Sequence, residues 1–416
     1  MKRILAALLA LIALIPFIGV FTNDPEALPP EDPPVIEPVE PEPEPDPEVI
    51  EEKVEITLVS PEKDQTMILV NEEMQEYLSI YHRGIGQNYY RYLTDHFIGN
   101  QTVSLKWQIS KKPEFTVVYL SNRNDMKEAD EMLCREDHLD ICNLFTGKDY
   151  YWQICAVYSD YAVMSEIGHF RTEPTPRIVL IEGVSNTRDA GSYYTGSGSH
   201  LNQGLIYRTA YADNVTQFGR RQANEDLHIK TELDLRDAGE SGSRLEKSPL
   251  GENVRYINAP GILYTNITKE AYWKSALNIF RVFADRENYP ILVHCRAGRD
   301  RTGTAMIVLL GLCGVPEETI YKDYELSFFS QAGTEMQEEG REVEILLGYV
   351  NDLMKNLYKF GDDNTTLAGC CRNYLLKIGM TDEEIETIRL IMTGNAGIQL
   401  PHKKADVRIP EIRTYD

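Results

Sequence analysis

Hydrophobic and polar positions along this 416-residue chain change rhythm more than once. From Val54 to about Thr172, short runs alternate with a period of two: Val54–Val59, Val103–Ile109 and Tyr150–Tyr158, with Phe115–Leu120 a further β-branched and aromatic run. Period two sends one face of a strand into a core, and turn residues between the runs point to antiparallel pairing. The spacing predicts an N-terminal all-β sandwich over 54–173, with Trp107 and Trp152 as core anchors. Glu72–Tyr81 interrupts it as a candidate helix that a minimal sandwich would lack. Pro174–Pro176 marks a boundary, after which the pattern is mixed. Ile178–Ile181 and Thr231–Arg236 read as strands, Glu270–Ala284 as a helix, and Ile291–Val293 as a buried strand. Thr302–Cys313, Pro316–Ser327, Arg341–Tyr358 and Thr381–Met392 then read as helices. This predicts an α/β domain over 174–396, a central sheet flanked by helices, followed by a peripheral tail at 397–416.

Two segments keep neither rhythm. Lys2 and Arg3 precede an uncharged, mainly apolar run, Ile4–Thr22, long for a signal-peptide core and just long enough to span a bilayer. Residues 1–22 are therefore expected to be a signal peptide or membrane anchor, with the remainder exported to the extracellular face or secreted. Residues 23–53 are a Pro/Glu/Asp tract that cannot bury a core, and they read as a disordered stalk. The formal charge of −23 argues against a nucleic-acid partner, whose phosphates would be repelled. Seven cysteines include no CxxC pair and no Cys–His zinc spacing, so neither metal nor cofactor is expected, and the spacing fixes no disulfide pairing.

One stretch carries candidate chemistry: His294-Cys295-Arg296-Ala297-Gly298-Arg299-Asp300-Arg301-Thr302-Gly303. It lies between the apolar strand and an apolar helix. A strand, tight loop and helix start aim backbone N–H groups at one small volume suited to a tetrahedral dianion. Cys295 would wait there as a thiolate nucleophile, and Arg301 can fork two donors onto phosphoryl oxygens. Thr302 can offer its hydroxyl to the sulfur. The competing readings are a buried strand-end cysteine, a surface ion pair for Arg301, a plain helix-start contact for Thr302, and a loop-structuring salt bridge for Asp300.

Together with Asn186-Thr187-Arg188-Asp189-Ala190-Gly191, Gly204–Thr209, Ile229 through Asp234-Leu235-Arg236, and Tyr374–Thr381, this loop resembles the bacterial tyrosine phosphatase family. That family includes secreted dual-specificity and phosphoinositide cysteine phosphatases, and the resemblance covers about Ile181–Met392. Asn143–Thr172 is similar to fibronectin type III modules. The resemblance implies that Cys295 takes the phosphoryl group, that Arg301 stabilises the transition state, and that Asp300 is the general acid. Asp237 is the alternative acid, because Ile257–Gly261, where many such enzymes carry an aspartate, has none. Arg296, Ala297, Gly298, Arg299 and Thr302 would bind substrate, with His294, Asp189, Arg208, Asp234 and Arg236 in support, and Arg188 beside them. The family commonly has lysine where Arg299 stands, which weakens the case for phosphoinositides, although Arg296 and Arg299 would make the mouth cationic. Cys295 is expected to be exposed and open to oxidation. The expected activity is phosphomonoester hydrolysis, on phosphotyrosine in proteins first, then phosphoserine or phosphothreonine, phosphoinositides and inositol phosphates. Sulfur transfer, and a surface binding protein with a vestigial catalytic domain, are the rivals. The sandwich's own partner stays open.

Overall fold

A computed structural model describes residues 53–79, 102–237, 240, 247–261, 264–330, 343–394 and 396–415. The candidate leader, and the stalk up to Glu52, lie outside the described residues. From Lys53 onward the chain forms one compact unit. Among the described residues no helix is long and apolar enough to cross a membrane.

The sheet that matters most has five strands, in the order Arg188–Asp189, Ile206–Thr209, Ile291–His294, Thr231–Asp234, Arg255–Asn258. All but the first are parallel, and their registers agree: Ile206 and Thr231 both pair with Ile291, Thr209 and Asp234 both with His294. Three carboxyl ends therefore finish level, where ligands of such sheets bind. A parallel sheet covered on both faces needs strands that are apolar throughout, and Ile291, Leu292 and Val293 are all fully buried. Successive side chains still part company: Ile291 and Val293 join Ile206 and Leu233 in one core, Leu292 joins Tyr207 and Ile229 in another. The expected strand Ile178–Ile181 makes only isolated bridges. Asn143 takes its place as partner there, accepting from the Leu180 N–H and donating to the Leu180 carbonyl.

The helices are α1 (Glu72–Ser79), α2 (Gln217–Arg221), α3 (Trp273–Ala284), α4 (Asp300–Leu312), α5 (Glu317–Glu325), α6 (Val343–Tyr358), α7 (Leu367–Lys377) and α8 (Asp382–Thr393). α4 is buried from Thr302 through Leu312, a central helix with no wet face, which is why its sequence shows no polar stripe. α8 opens on a capping box between Thr381 and Glu384.

Residues 56–172 build two further sheets. One joins Ile56–Ser60, Val103–Ile109 and His138–Ile141; the other centres on Phe115–Ser121 beside Asp149–Val157. Val103, Leu105 and Trp107 from the first, and Leu120, Trp152 and Ile154 from the second, fill a single buried cluster. The all-β expectation for this part needs correcting. Met74 and Tyr77 of α1, three apart on one helical face, are buried in the core of the helix-rich part instead. Nor is the tail peripheral, since Glu411–Ile412 pairs with Tyr161–Ala162 and Lys403 bonds both Asp130 and Asp226.

Arg177 closes the junction between the two parts. Its buried guanidinium donates to the carbonyls of Leu144 (3.0 Å) and Asn143, pairs with Asp189 at 2.6 Å, and lies 4.3 Å from the centre of the Phe145 ring. Arg177→Met should strand these buried acceptors and cost about 3–5 kcal/mol of stability, read as a lower urea or thermal midpoint of the whole unit.

Candidate active site

The chain leaves the central strand at His294, turns through Cys295–Arg299, and enters α4 at Asp300. Gly298 makes the turn possible: its φ is +67°, and a Cβ there would lie 2.0 Å from the Thr209 carbonyl oxygen. Carbonyls around the loop are taken from outside. The Arg296 carbonyl accepts from the Tyr211 N–H (3.1 Å), Ala297 from Asn186 Nδ2 (2.8 Å), and Gly298 from Arg208 Nη2 (2.9 Å). Nδ1 of His294 lies 3.1 Å from the Cys295 carbonyl. In a trans peptide the N–H opposes the C=O, so carbonyls drawn outward turn the N–H groups inward and make an anion nest. Cys295 lies at its base.

Beneath the loop sit charges with almost no access to water. Asp323 of α5 binds Arg188 Nε at 2.8 Å and pairs with Arg208, while Tyr193 donates to it at 2.7 Å. Burial alone would raise the Asp323 carboxyl, but the two guanidinium charges draw it down to about 2. On the other side, His294 Nε2 meets Glu232 at 2.8 Å, and Ser248 bonds the same carboxylate. Burial works against an imidazolium here, yet the hydrogen bond and charge of Glu232, then the charge of Asp234, raise the His294 pKa above its ordinary value. Arg236 grips Asp213 through two bonds (2.8 and 2.9 Å) and Asp234 at 2.8 Å. Asp234 also accepts from Tyr256, which fixes the end of its strand.

Arg301 is set from the opposite wall. Its Nη1 and Nη2 bind the carboxylate of Glu240, and Nη1 also meets the Leu235 carbonyl at 3.3 Å. Burial alone would lower its pKa; the Glu240 bond and the charges of Cys295, Glu240 and Asp237 more than reverse this. Among the described residues Nε makes no hydrogen bond, so the side-on edge of Nε and Nη2 remains to fork an anion. Gly261 packs on the stem, where a Cβ would come 2.9 Å from Arg301 Cβ.

Several expectations change. Arg299 does not line the mouth: it is 4% exposed, holds both oxygens of Asp300 at 2.7 Å, and stacks over Phe328. Its neighbour Arg296 is the exposed cation of the loop. Asp300 also accepts from Tyr324 at 3.0 Å, so among the described residues it sits in the loop-structuring ion pair that was the competing reading. Cys295 is 2% exposed rather than open, because it sits at the floor of the nest against the core. The Thr302 hydroxyl is buried without a hydrogen-bond partner among the described residues and bonds no sulfur. Asp189 steadies Arg177 and the N–H groups of Gly191 and Gly204, away from the loop, whereas Arg208 bonds the Gly298 carbonyl and Arg188 acts on the loop through Asn186. Asp237 is exposed, 3.5 Å from Arg301. Periodicity missed Asn186, Glu232, Glu240, Asp323 and Tyr324. Asp323 carried one usable signal: an acid beside the inward positions Ile320 and Tyr324 of a helix. All seven cysteines are free thiols.

A model of the tyrosine phosphatase family matches residues 179–394. A tyrosine-protein phosphatase of Nostoc commune is 27% identical over 221 residues, covering 46% of this chain and 74% of that protein. A Cupriavidus necator protein, itself named provisionally as a tyrosine-protein phosphatase, is 24% identical over 170 residues, covering 35% of this chain and 61% of that one. Among solved structures, the core catalytic domain of the S. cerevisiae PP-IP phosphatase SIW14 with citrate matches at 18% identity and a TM-score of 0.24. The match covers 37% of this chain and 93% of that one.

The His294–Glu232 pair makes a pH prediction. A folded-state pKa raised above the unfolded value of about 6.5 gives stability that is complete below that pH and lost as pH rises through the folded value. The melting temperature should therefore fall as pH rises above about 6.5 more steeply in the wild type than in His294→Gln.

Proposed function

The chain belongs to the tyrosine phosphatase family, and from that premise we propose that it hydrolyses phosphomonoesters through a cysteinyl-phosphate, with phosphotyrosine in proteins as its leading substrate. One observation carries the reading: Cys295 lies in a loop whose carbonyls are bonded from outside, within electrostatic reach of Arg301, whose Nε makes no hydrogen bond among the described residues. The Thr302 hydroxyl, a buried donor lacking a partner among the described residues, adds a further group that a bound anion or thiolate would satisfy.

In the first step Sγ of Cys295 attacks phosphorus in line, the P–O bond to the leaving group breaks, and the leaving oxygen gains a proton. In the second, water attacks phosphorus, the S–P bond breaks, inorganic phosphate leaves, and the thiolate returns. Arg301 and the inward N–H groups hold the three equatorial oxygens as charge builds on them. Asp300 is the proton carrier for both steps. The form held by Arg299 and Tyr324 is the base suited to the water step, and the acid form for the first step requires Arg299 to give way on substrate binding.

The surroundings bear on substrate class. With Arg299 turned inward, Arg296 remains as the loop's exposed cation, while Asp237 and Glu240 stand beside Arg301. Carboxylates at that wall disfavour headgroups bearing several phosphates, so phosphoinositides and inositol phosphates rank second. A vestigial site is disfavoured by the intact Cys295, Gly298 and Arg301. We further propose, on sequence grounds, that the two-sheet part is fibronectin type III-like and that the apolar N-terminus exports the chain.

Cys295→Ser should abolish turnover of p-nitrophenyl phosphate, and near-normal rates in that variant would end the assignment. Arg301→Lys, which keeps the charge and loses the fork, should lower kcat by about 10²–10³. Asp300→Asn should slow alkyl phosphates far more than p-nitrophenyl phosphate, whose leaving group needs little protonation.

A further inference from the structure

Helix α5 ends on three consecutive side chains that leave its axis about 100° apart and travel to three different places. Asp323 goes beneath the loop to Arg188 and Arg208, and Arg208 in turn carries the Gly298 carbonyl. Tyr324 donates to Asp300 at 3.0 Å. Glu325, buried, accepts a hydrogen bond from the Tyr77 hydroxyl. Tyr77 lies on α1, far outside the 179–394 span that the family model matches. Its ring is fully buried and packs 4.8 Å from Phe329, just past the end of α5. One turn earlier on α5, Lys322 Nζ donates to the Leu78 carbonyl of α1 at 3.1 Å. α1 therefore grips the same turn of α5 that holds both the floor of the loop and the candidate proton carrier.

We propose that Tyr77 is a positioning residue: by bonding Glu325 it fixes the rotation of α5, and through Tyr324 and Asp323 it sets the aim of Asp300 and the seat of the Gly298 peptide. A buried carboxylate that loses a donor is costly, so the α1–α5 pairing is held firmly or not at all. A rotation of α5 about its axis moves Asp323 and Tyr324 together, because both sit on the turn that Glu325 anchors. The consequence for turnover rests on the phosphatase reading above; the coupling of α1 to the loop does not.

The test uses the full chain. Tyr77→Phe keeps the ring and removes the hydroxyl. Hydrogen exchange over residues 295–303 should quicken about tenfold while peptides from α8 stay unchanged. The kcat for an alkyl phosphate should fall about tenfold further than the kcat for p-nitrophenyl phosphate, with both KM values within about twofold of wild type. The double variant Tyr77→Phe/Glu325→Leu removes the buried carboxylate that lost this donor, so it should regain melting temperature yet keep the fast loop exchange and the skewed kcat ratio. If the tyrosine only fills space, loop exchange in the double variant returns to the wild-type rate, and that result overturns the proposal. Absence of turnover in the wild type would defeat the functional reading alone, and loop exchange would still decide the role of Tyr77.

Discussion

A loop that grips a dianion must turn its peptide N–H groups inward, and it does so only when something outside holds its carbonyls. Here the holders are a buried arginine, an asparagine and a neighbouring backbone N–H, acting on Gly298, Ala297 and Arg296. Taking Arg208 out of water is expensive, and the expense is offset by Asp323, itself drawn down to about 2 by two guanidinium groups. Arg188 completes the balance and ties Asn186 into the same network. The shape of the loop thus depends on a charge cluster that lies beneath it.

Two of the three loop arginines, Arg299 and Arg301, are engaged by carboxylates, with different consequences. Glu240 takes Arg301 end-on through Nη1 and Nη2, which aims the guanidinium without using its Nε edge. Arg299 takes Asp300 through both oxygens and lies over the Phe328 ring, so its charge serves the loop's interior. A cationic mouth read from the count of arginines was therefore too generous. Direction matters as much as charge: an Arg one residue before a helix start can turn back onto the first helical carboxylate as easily as out to solvent.

The strand Val103–Ile109 was legible because its apolar rhythm matches the face it buries, Phe115–Leu120 because it is β-branched and aromatic, and α4 because its run from Ala305 to Leu312 is apolar throughout. The nucleophile, the arginine and the glycine were legible because the chemistry places them within one short loop. Ile178–Ile181 was misread since it makes only isolated bridges and its Leu180 backbone is paired by a side-chain amide, Asn143, which leaves no trace in periodicity. Asp323, Glu232 and Glu240 were missed for a related reason. Each acts on a residue from a distant part of the chain, Glu232 on His294, Glu240 on Arg301 and Asp323 on Arg188 and Arg208, and apart from the helical spacing of Asp323 nothing local marks them until the opposing arginine or histidine is found.

The physical unit is larger than the span that family membership marks out. Sequence similarity follows 179–394, where the reacting loop and its parallel strands lie. Burial follows different boundaries. Tyr77 and Met74 arrive from before that span and end in the same core as α4 and α5, while Lys403 and Glu411–Ile412 return from beyond it to the N-terminal sheets. Arg177 stands at the boundary with its guanidinium shared between both sides. Had the N-terminal sheets been a detachable module, such a junction would be wet and tolerant of loss; a buried arginine between two carbonyls and a carboxylate is neither. The β-sheets before residue 173 are better understood as one wall of the phosphatase than as cargo tethered to it.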